Sequence, residues 1–153
     1  MSEQKYEIPL QIGDNAEFSK TISEADVYLF AGITGDMNRV HLNEQYMATT
    51  KLKHRIAHGM LTFSVGVTSE TLLLDKYKEK IDNSGLSYLS AGYNRTRFVK
   101  PVFFGDTITT KYEIVELYPE TLKTIGRLTM VNQHDEVVVV AEHILKFYPK
   151  TDE

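Results

Sequence analysis

GMLTFSVGVTSETLLL, residues 59–74, decides the fold class of this chain because it predicts one long helix at the centre of the molecule. Apolar side chains occupy most of its sides until Ser69 and Glu70, a pattern typical of a helix enclosed by other structure. Val65 and Val67 are poor helix formers, so burial rather than intrinsic propensity has to stabilise this helix. We therefore expect the rest of the chain to surround it.

After this helix, the sequence takes the period of β-strands. Residues 107–114 alternate between apolar and polar side chains, as a half-buried strand does. The predicted strands cover residues 86–98, 107–114, 122–131 and 137–148, with a turn at 132–135. One long helix followed by a succession of strands predicts an α+β domain.

Two shorter helices are predicted before the central one. The first covers residues 24–34, with Ser23 as its N-cap and Gly35 as its stop. Its apolar stripe, which we expect to pack on a sheet, consists of Ala25, Tyr28, Leu29 and Ile33. The second covers residues 43–50 and follows a loop at 35–42.

Length and composition predict one ordinary globular domain over residues 1–153, frayed at 1–4 and 150–153. The chain has no cysteine, which excludes thiolate catalysis, disulfides and cysteine zinc sites. A net charge of -4 argues against nucleic-acid binding, which needs a basic face. Without a leader or an apolar run of about 18 residues, we expect a cytoplasmic protein that does not bind membranes.

The segments GDMNRVH, residues 35–41, and IAHGM, residues 56–60, carry the candidate chemistry. A carboxylate and an imidazole on one short loop can converge on one water, Asp36 taking a proton while His41 orients the water or returns a proton. The amide of Gly59 begins the central helix and can donate to an oxyanion. On spacing alone a plainer alternative stays open, with Asp36 in a turn, His41 a satisfied core or surface group and Gly59 a close-packing glycine.

Three segments of the chain resemble the MaoC-like or (R)-specific enoyl-CoA hydratase family. The signature of that family is an aromatic residue, a small-residue stretch and then Gly-Asp-x-Asn-Pro-aliphatic-His. FAGITGDMNRVHLNEQYMA, residues 30–48, follows the signature through Gly35, Asp36, Asn38, Val40, His41 and Ala48. IAHGML, residues 56–61, and VKPVFFGDTI, residues 99–108, come next in the order that the family has. The resemblance covers most of the chain.

The resemblance implies a hot-dog fold, in which an antiparallel sheet wraps around a long central helix. It implies the reversible addition of water to a trans-2-enoyl-CoA to give the (R)-3-hydroxyacyl-CoA, with Asp36 and His41 as the acid/base pair. Gly59 would donate to the thioester oxygen, Asn38 would steady the loop, and Asn38 and His58 would contribute to substrate binding. A homodimer or an assembly of dimers is also implied. Coenzyme A or an acyl carrier is part of the substrate, and neither a metal nor another cofactor is implied.

Cations near the site are the candidates to meet the phosphates of the substrate. Lys51 and Arg95 are assigned to this role, each within a basic run. The two runs are Lys51, Lys53 and Arg55, and Arg95, Arg97 and Lys100. Arg39 stands where the signature usually has proline, and this departure either loosens the loop or places a cation near the entrance of the site.

The same residues also resemble two kinds of metal site, and neither pattern is complete. His54 and His58 have the spacing of a zinc helix, but Arg55 occupies the position of the general-base glutamate. A calcium loop that begins at Asp36 lacks its later side-chain oxygens. Two rival functions stay open, a hot-dog thioesterase in which Asp36 activates water against the thioester carbonyl, and a non-catalytic acyl-binding subunit. Release of free thiol identifies the first, and ligand binding that survives Asp36→Asn identifies the second.

Overall fold

The computed structural model describes residues 6–151, so the fraying predicted for residues 1–4 and 152–153 lies outside the described residues. The helices are α1 Glu24–Thr34, α2 Arg39–Leu42, α3 Glu44–Ala48, α4 Gly59–Lys76 and α5 Lys78–Asn83, with a 3-10 turn at Pro119–Thr121. The strands are β1 Asn15–Thr21, β2 Leu86–Phe98, β3 Thr107–Tyr118, β4 Lys123–Val131 and β5 Val137–Pro149. Within the described part of the chain, no helix is long and apolar enough to cross a membrane.

The strands form one antiparallel sheet in the order β1-β3-β4-β5-β2, which leaves β2 at an edge. The long helix α4 packs on this sheet, and a Cβ atom on Gly66 would lie only 2.8 Å from a methyl group of Leu128 in β4. Glycine at this position therefore lets helix and sheet approach closely. A single antiparallel sheet packed on one long helix is the hot-dog arrangement. The predicted fold class, the central helix and all four predicted strands are confirmed.

Among the elements that the prediction lacked, β1 and α5 have a weak apolar signal. β1 pairs with β3 along its whole length, yet only Ala16 and Phe18 offer apolar side chains to the core. α5 buries a single residue, Ile81, in a segment that is otherwise charged or polar. Elements this short are held by their neighbours, so their own sequence carries little of the information that places them.

The bounds and both caps of α1 are confirmed, but the predicted buried stripe is wrong. Val27 and Ala31 are the buried residues of α1, whereas Leu29 and Ile33 are 67% and 83% exposed. The other two residues of the predicted stripe, Ala25 and Tyr28, are also exposed. Seven of the eleven residues of α1 are apolar, so more than one i, i+4 stripe fits the sequence and spacing cannot choose between them.

The region between α1 and α4 also differs from the prediction, which placed one helix at 43–50 after a long loop. It contains α2 and α3 instead, because two asparagines act as N-caps. The side chain of Asn38 accepts from the N–H of Val40 at 3.1 Å, and that of Asn43 accepts from the N–H of Tyr46 at 2.8 Å. The loop after α1 is therefore shorter than the predicted loop at 35–42, because α2 already begins at Arg39.

A cluster of polar side chains is buried between α4 and the sheet. The Tyr93 hydroxyl donates to the two carboxylate oxygens of Glu70 at 3.0 and 2.9 Å. His143 in β5 lies 3.5 Å from the same carboxylate, and its ring nitrogens are 2.9 Å from the hydroxyls of Tyr112 and Ser90. The sequence placed His143 on a strand without identifying an acidic partner, and Glu70 is that partner.

Burial moves the pKa values of the two ionisable groups at the centre of this cluster in opposite directions. It raises the pKa of Glu70 to about 7, against the hydrogen bond from Tyr93, which lowers it. It lowers the pKa of His143 to about 4. At neutral pH the imidazole is therefore uncharged, and Glu70 is poised between its neutral and charged forms.

Glu70→Gln is expected to stabilise the protein in alkaline solution more than in acidic solution. The folded protein holds the Glu70 proton more tightly than the unfolded chain, so its free energy of unfolding falls as pH rises from 4.5 to about 7. Glutamine keeps an oxygen for Tyr93 and has no proton to lose. Urea unfolding should show the advantage of the variant growing by about 2–3 kcal/mol between about pH 5 and about pH 8. An advantage that does not change with pH would contradict the burial of an ionisable Glu70.

Candidate active site

The loop after α1 presents Asp36 to solvent beside the start of α2. Gly35 ends α1 with φ +75, a left-handed conformation that glycine adopts easily, and its N–H donates to Ala31 O at 2.8 Å. The Asp36 side chain is about half exposed, and its Oδ1 accepts from the N–H of Asn38 at 3.2 Å. Asn38 in turn caps α2. The carboxylate is therefore held by its own loop with its other oxygen free to act.

His41 is a buried residue of α2 whose ring is held in one tautomer. Its Nδ1 lies 2.8 Å from Ile56 O, and a carbonyl can only accept, so Nδ1 carries the proton and donates. In the neutral ring, Nε2 is then a hydrogen-bond acceptor. Burial lowers the pKa of His41 and outweighs the Ile56 carbonyl and the Asp36 carboxylate, which act to raise it. His41 is therefore a neutral imidazole at physiological pH.

His58, immediately before α4, supports both members of this pair. Its ring stacks on that of His41, with centroids 3.7 Å apart, and lies 5.0 Å from the ring of Phe30. Its Nε2 donates to the backbone oxygen of Asp36 at 3.0 Å. Its Nδ1 is buried and has no hydrogen-bond partner among the described residues. These contacts orient Asp36 and His41, while the predicted contact of His58 with substrate stays a prediction.

One carboxylate oxygen of Asp36 and one ring nitrogen each of His41 and His58 lie within 4.8 Å of one another. A water molecule that donates to two acceptors, each at about 2.8 Å, holds these acceptors about 4.6 Å apart. The spacing of the Asp36 and His41 atoms therefore allows them to share one water. The same three residues are of metal-ligand types. However, Nδ1 of His41 and Nε2 of His58 each donate to a backbone carbonyl, of Ile56 and Asp36 respectively, so only the other nitrogen of each ring has a lone pair to offer.

The N-terminus of α4 adjoins this group of side chains. His58 is the N-cap of α4, and no side chain makes a capping hydrogen bond to its first turn. The first amides of a helix lack intrahelical acceptors, so the N–H of Gly59 can donate to a ligand. Phe98, the last residue of β2, covers Gly59, since a Cβ atom there would lie 3.0 Å from the Phe98 ring.

Two cavities open from these residues, and both are bordered by His41, Gly59 and Phe98. The acid/base cavity has a volume of about 430 Å³ and is also bordered by Phe30, Thr34, Asp36, His58 and Met60. The apolar cavity has a volume of about 310 Å³, and its further walls include Ala57, Thr62, Val99, Val102 and Val139. The reactive groups therefore lie where two spaces meet.

Arg55 fixes the segment that carries Ile56 and His58. Its guanidinium lies 2.7 Å from a carboxylate oxygen of Glu24 in α1 and 3.3 Å from one of Glu44 in α3. It also donates to the Tyr28 hydroxyl at 3.0 Å. Arg55 is thus a structural cation that ties α1 and α3 to the segment whose carbonyl holds His41.

The predicted site residues divide into two groups. The structure brings Asp36, His41, His58 and Gly59 together around the acid/base cavity. Asn38, Lys51 and Arg95 border neither cavity; Asn38 caps α2, and Arg95 is ion-paired with Glu142 at 2.9 Å. The binding roles predicted for Lys51 and Arg95 have no support from their positions and stay predictions.

Arg39, the cation that replaces the usual proline, folds back onto its own segment. Its guanidinium lies over the ring of Tyr46, 3.8 Å from the ring centroid. Its carbonyl accepts from the N–H of Asn43 at 2.9 Å. The Asn38 cap and this stacking contact therefore hold the loop at the position of the missing proline.

Two contributors to the site were not predicted from the sequence. Phe98 was included only as the end of a strand, and the sequence signal that marks it is its place shortly before Pro101, where the chain leaves the sheet. The carbonyl of Ile56 is a backbone group, and no side-chain pattern indicates where a backbone acceptor will point. Both come from segments that are distant in sequence from Asp36.

Comparison with known proteins gives consistent matches over most of the chain. The family model described as a MaoC like domain matches residues 8–142. An (R)-specific enoyl-CoA hydratase of Rhodospirillum rubrum is 42% identical over 108 residues, covering 71% of this chain and 68% of that protein. A 3-hydroxybutyryl-CoA dehydratase of Methylorubrum extorquens is 37% identical over 144 residues, covering 94% and 84%. The solved (R)-hydratase from A. caviae superposes with a TM-score of 0.71 at 30% identity, covering 90% of this chain and 96% of that one.

Proposed function

The chain belongs to the MaoC-like domain family and is a hydro-lyase, and on that premise we propose that it adds water reversibly to a trans-2-enoyl-CoA, giving the (R)-3-hydroxyacyl-CoA. The observation that carries this proposal is the spacing of Asp36 and His41, whose ligand atoms lie within 4.8 Å of each other beside the first amide of α4. Relatives named as hydratases and dehydratases support the same reaction in its two directions.

In the proposed reaction, Asp36 and His41 act on one water molecule. The Nε2 lone pair of His41 accepts one hydrogen of the water and orients it, since Nδ1 is committed to Ile56 O. Asp36 takes the other proton as the water oxygen bonds to C3 of the enoyl group. The C2 carbon then receives a proton from Asp36, so water is added across the double bond and the carboxylate is restored. The reverse sequence eliminates water.

The negative charge that develops during this addition lies on the thioester oxygen. We assign the N–H of Gly59 as its donor, helped by the positive end of the α4 dipole. Because position 59 has no side chain, the Phe98 ring packs closely over this backbone, 3.0 Å from where a Cβ atom would lie. The chemistry needs no cofactor beyond the coenzyme A or acyl carrier that belongs to the substrate.

We also propose that the chain acts as a homodimer or an assembly of dimers. β2 is a long edge strand, and it carries the exposed apolar residues Tyr88 and Leu89. An exposed apolar edge of this kind is a ready surface for pairing with a second copy. Sedimentation of the purified protein at increasing concentration should give a mass of at least twice 17.5 kDa, and a monomer at all concentrations would contradict the proposal.

The proposed activity is tested by mixing the purified protein with crotonyl-CoA and following two signals. Loss of the conjugated-enoyl absorbance without release of free thiol is the expected result. Release of thiol would instead identify the rival thioesterase, in which Asp36 directs water to the thioester carbonyl. Binding of crotonyl-CoA with neither change, and with no loss of binding in Asp36→Asn, would identify an acyl-binding subunit.

Gly59→Ala is expected to lower kcat/KM for crotonyl-CoA by about tenfold, less than the loss of an oxyanion donor, because the amide itself remains. The new methyl group would lie 3.0 Å from the Phe98 ring and would push this ring away from its position beside the Gly59 amide. The free energy of unfolding should change by less than about 1 kcal/mol, since alanine favours the helix and the exposed ring can turn. An unchanged kcat/KM would argue against close approach of substrate to position 59.

A further inference from the structure

The two cavities at the site share three bordering residues, and Phe98 is the largest of these. His41, Gly59 and Phe98 border both cavities. His41 and Gly59 are already assigned to the reaction, whereas Phe98 has no part in the chemistry. Its ring nevertheless occupies the boundary between the space that contains Asp36 and the space that does not.

We propose, on the basis of the proposed function, that Phe98 determines which acyl chain lengths the enzyme accepts. The apolar cavity receives the tail of the acyl chain, and the Phe98 ring is the partition that the tail passes. The ring is thus a specificity-determining element of the site.

The ring is placed closely over the backbone at which the thioester is assigned. A Cβ atom on Gly59 would lie between 3.0 and 3.1 Å from three different atoms of the Phe98 ring. The ring therefore covers Gly59 with one side rather than touching it at a single edge. A substrate whose thioester oxygen reaches the Gly59 amide has to lie against this ring.

The ring is also free to move, unlike a residue of the core. Phe98 is 52% exposed and is the last residue of β2, the edge strand. Core side chains on the same sheet, such as Leu145, are almost completely buried. Rotation of an exposed ring at a strand end requires no repacking, so the passage can widen for a longer chain at small cost.

The linings of the two cavities decide which one takes the acyl tail. Ala57, Val102 and Val139 form part of the apolar cavity and belong to the hydrophobic core, each no more than 5% exposed. Core apolar side chains therefore form one wall of this cavity. The acid/base cavity is bordered by none of these three core residues but by the exposed Thr34 and Met60, which suits the polar carrier arm.

Charge and volume agree with an alkyl occupant. Lys100 lies at the border of the apolar cavity, but its amino group is ion-paired with Glu136, which neutralises the charge. The cavity volume of about 310 Å³ equals about ten water molecules at about 30 Å³ each. That space accommodates a tail of several methylene groups, and transfer of these groups from water to the cavity is favourable.

The test compares kcat/KM for crotonyl-CoA, trans-2-hexenoyl-CoA and trans-2-octenoyl-CoA in two variants that act in opposite directions. Phe98→Leu shortens the partition and is expected to raise the octenoyl-to-crotonyl ratio by about tenfold. Val99→Phe fills the apolar cavity from its rim and is expected to lower this ratio by about tenfold. Tyr118→Leu is the matched control, because Tyr118 is an exposed ring at the end of β3 that borders neither cavity. Its ratio should equal that of the unaltered protein.

A ratio that stays unchanged in either Phe98→Leu or Val99→Phe would overturn the proposal, as would a change of the same sign in both. These results are distinguishable from a failure of the proposed function. If the folded, unaltered protein hydrates none of the three substrates, the hydratase assignment itself is wrong. If it hydrates crotonyl-CoA and the variants leave the ratio unchanged, the assignment stands and only the role of Phe98 is lost.

Discussion

Asp36→Asn is expected to lower kcat for the hydration of crotonyl-CoA by about 10³-fold, within the range for loss of a general base. The substitution changes little except the proton affinity of the side chain. Asparagine has the same shape, and its oxygen can still accept from the N–H of Asn38, as Oδ1 of Asp36 does. KM and the free energy of unfolding should therefore change little. The measurement is steady-state kinetics with urea unfolding of the same preparations.

Asp14→Asn is the matched control for this variant. Asp14 also accepts a backbone N–H in an exposed turn, from Gln11 at 2.8 Å, and it borders neither cavity. Its substitution should leave kcat within about twofold of the unaltered value, as surface changes usually do. An Asp36→Asn variant that retained more than about a tenth of kcat would remove Asp36 from the role of base.

His41→Gln is expected to lower kcat by about 10²–10³-fold, because the water loses the acceptor that orients it. The ring also stacks on His58, so some loss of stability should accompany the loss of activity. His134→Gln serves as the control, since His134 lies in the turn before β5 and borders neither cavity. Activity of His41→Gln close to that of the control would contradict the role assigned to His41.

The ionisation of His41 gives this prediction a second readout. Burial lowers the pKa of His41 below 6.5, so the neutral ring persists when the pH falls to that value. A His41-dependent acid limb in kcat/KM should therefore appear only below about pH 6.5. A His41-dependent acid limb above about pH 6.5 would contradict the lowered pKa of His41.

The fold was predictable because its main elements have strong and independent signals. The apolar length of α4, the alternation in β3 and the two caps of α1 each identify an element without reference to the others. The buried face of α1 was not predictable, since its apolar residues surround most of the helix. Contacts with the rest of the protein bury Val27 and Ala31, and the local sequence does not indicate which apolar residues are buried.

The side chains of the candidate site were predictable to the extent that they are close together in sequence or lie at a helix start. Asp36 and His41 share one loop, and Gly59 begins the most conspicuous helix. The supporting groups were not predictable in the same way. Ile56 acts through its carbonyl and Phe98 through its position above Gly59, so both depend on how separate segments meet. Arg55 was grouped with cations for phosphate, but two carboxylates from α1 and α3 engage it.

The most direct test of the central claim, that Asp36 and His41 act on one water as a unit, is a double-mutant cycle on kcat/KM for crotonyl-CoA. It requires the unaltered protein, Asp36→Asn, His41→Gln and the double variant, each shown to be folded. Residues that act as a unit give non-additive losses, so we predict that the double variant is no slower than the slower single variant, within about threefold. Losses that multiply in the double variant would show that the two residues act independently and would contradict the claim.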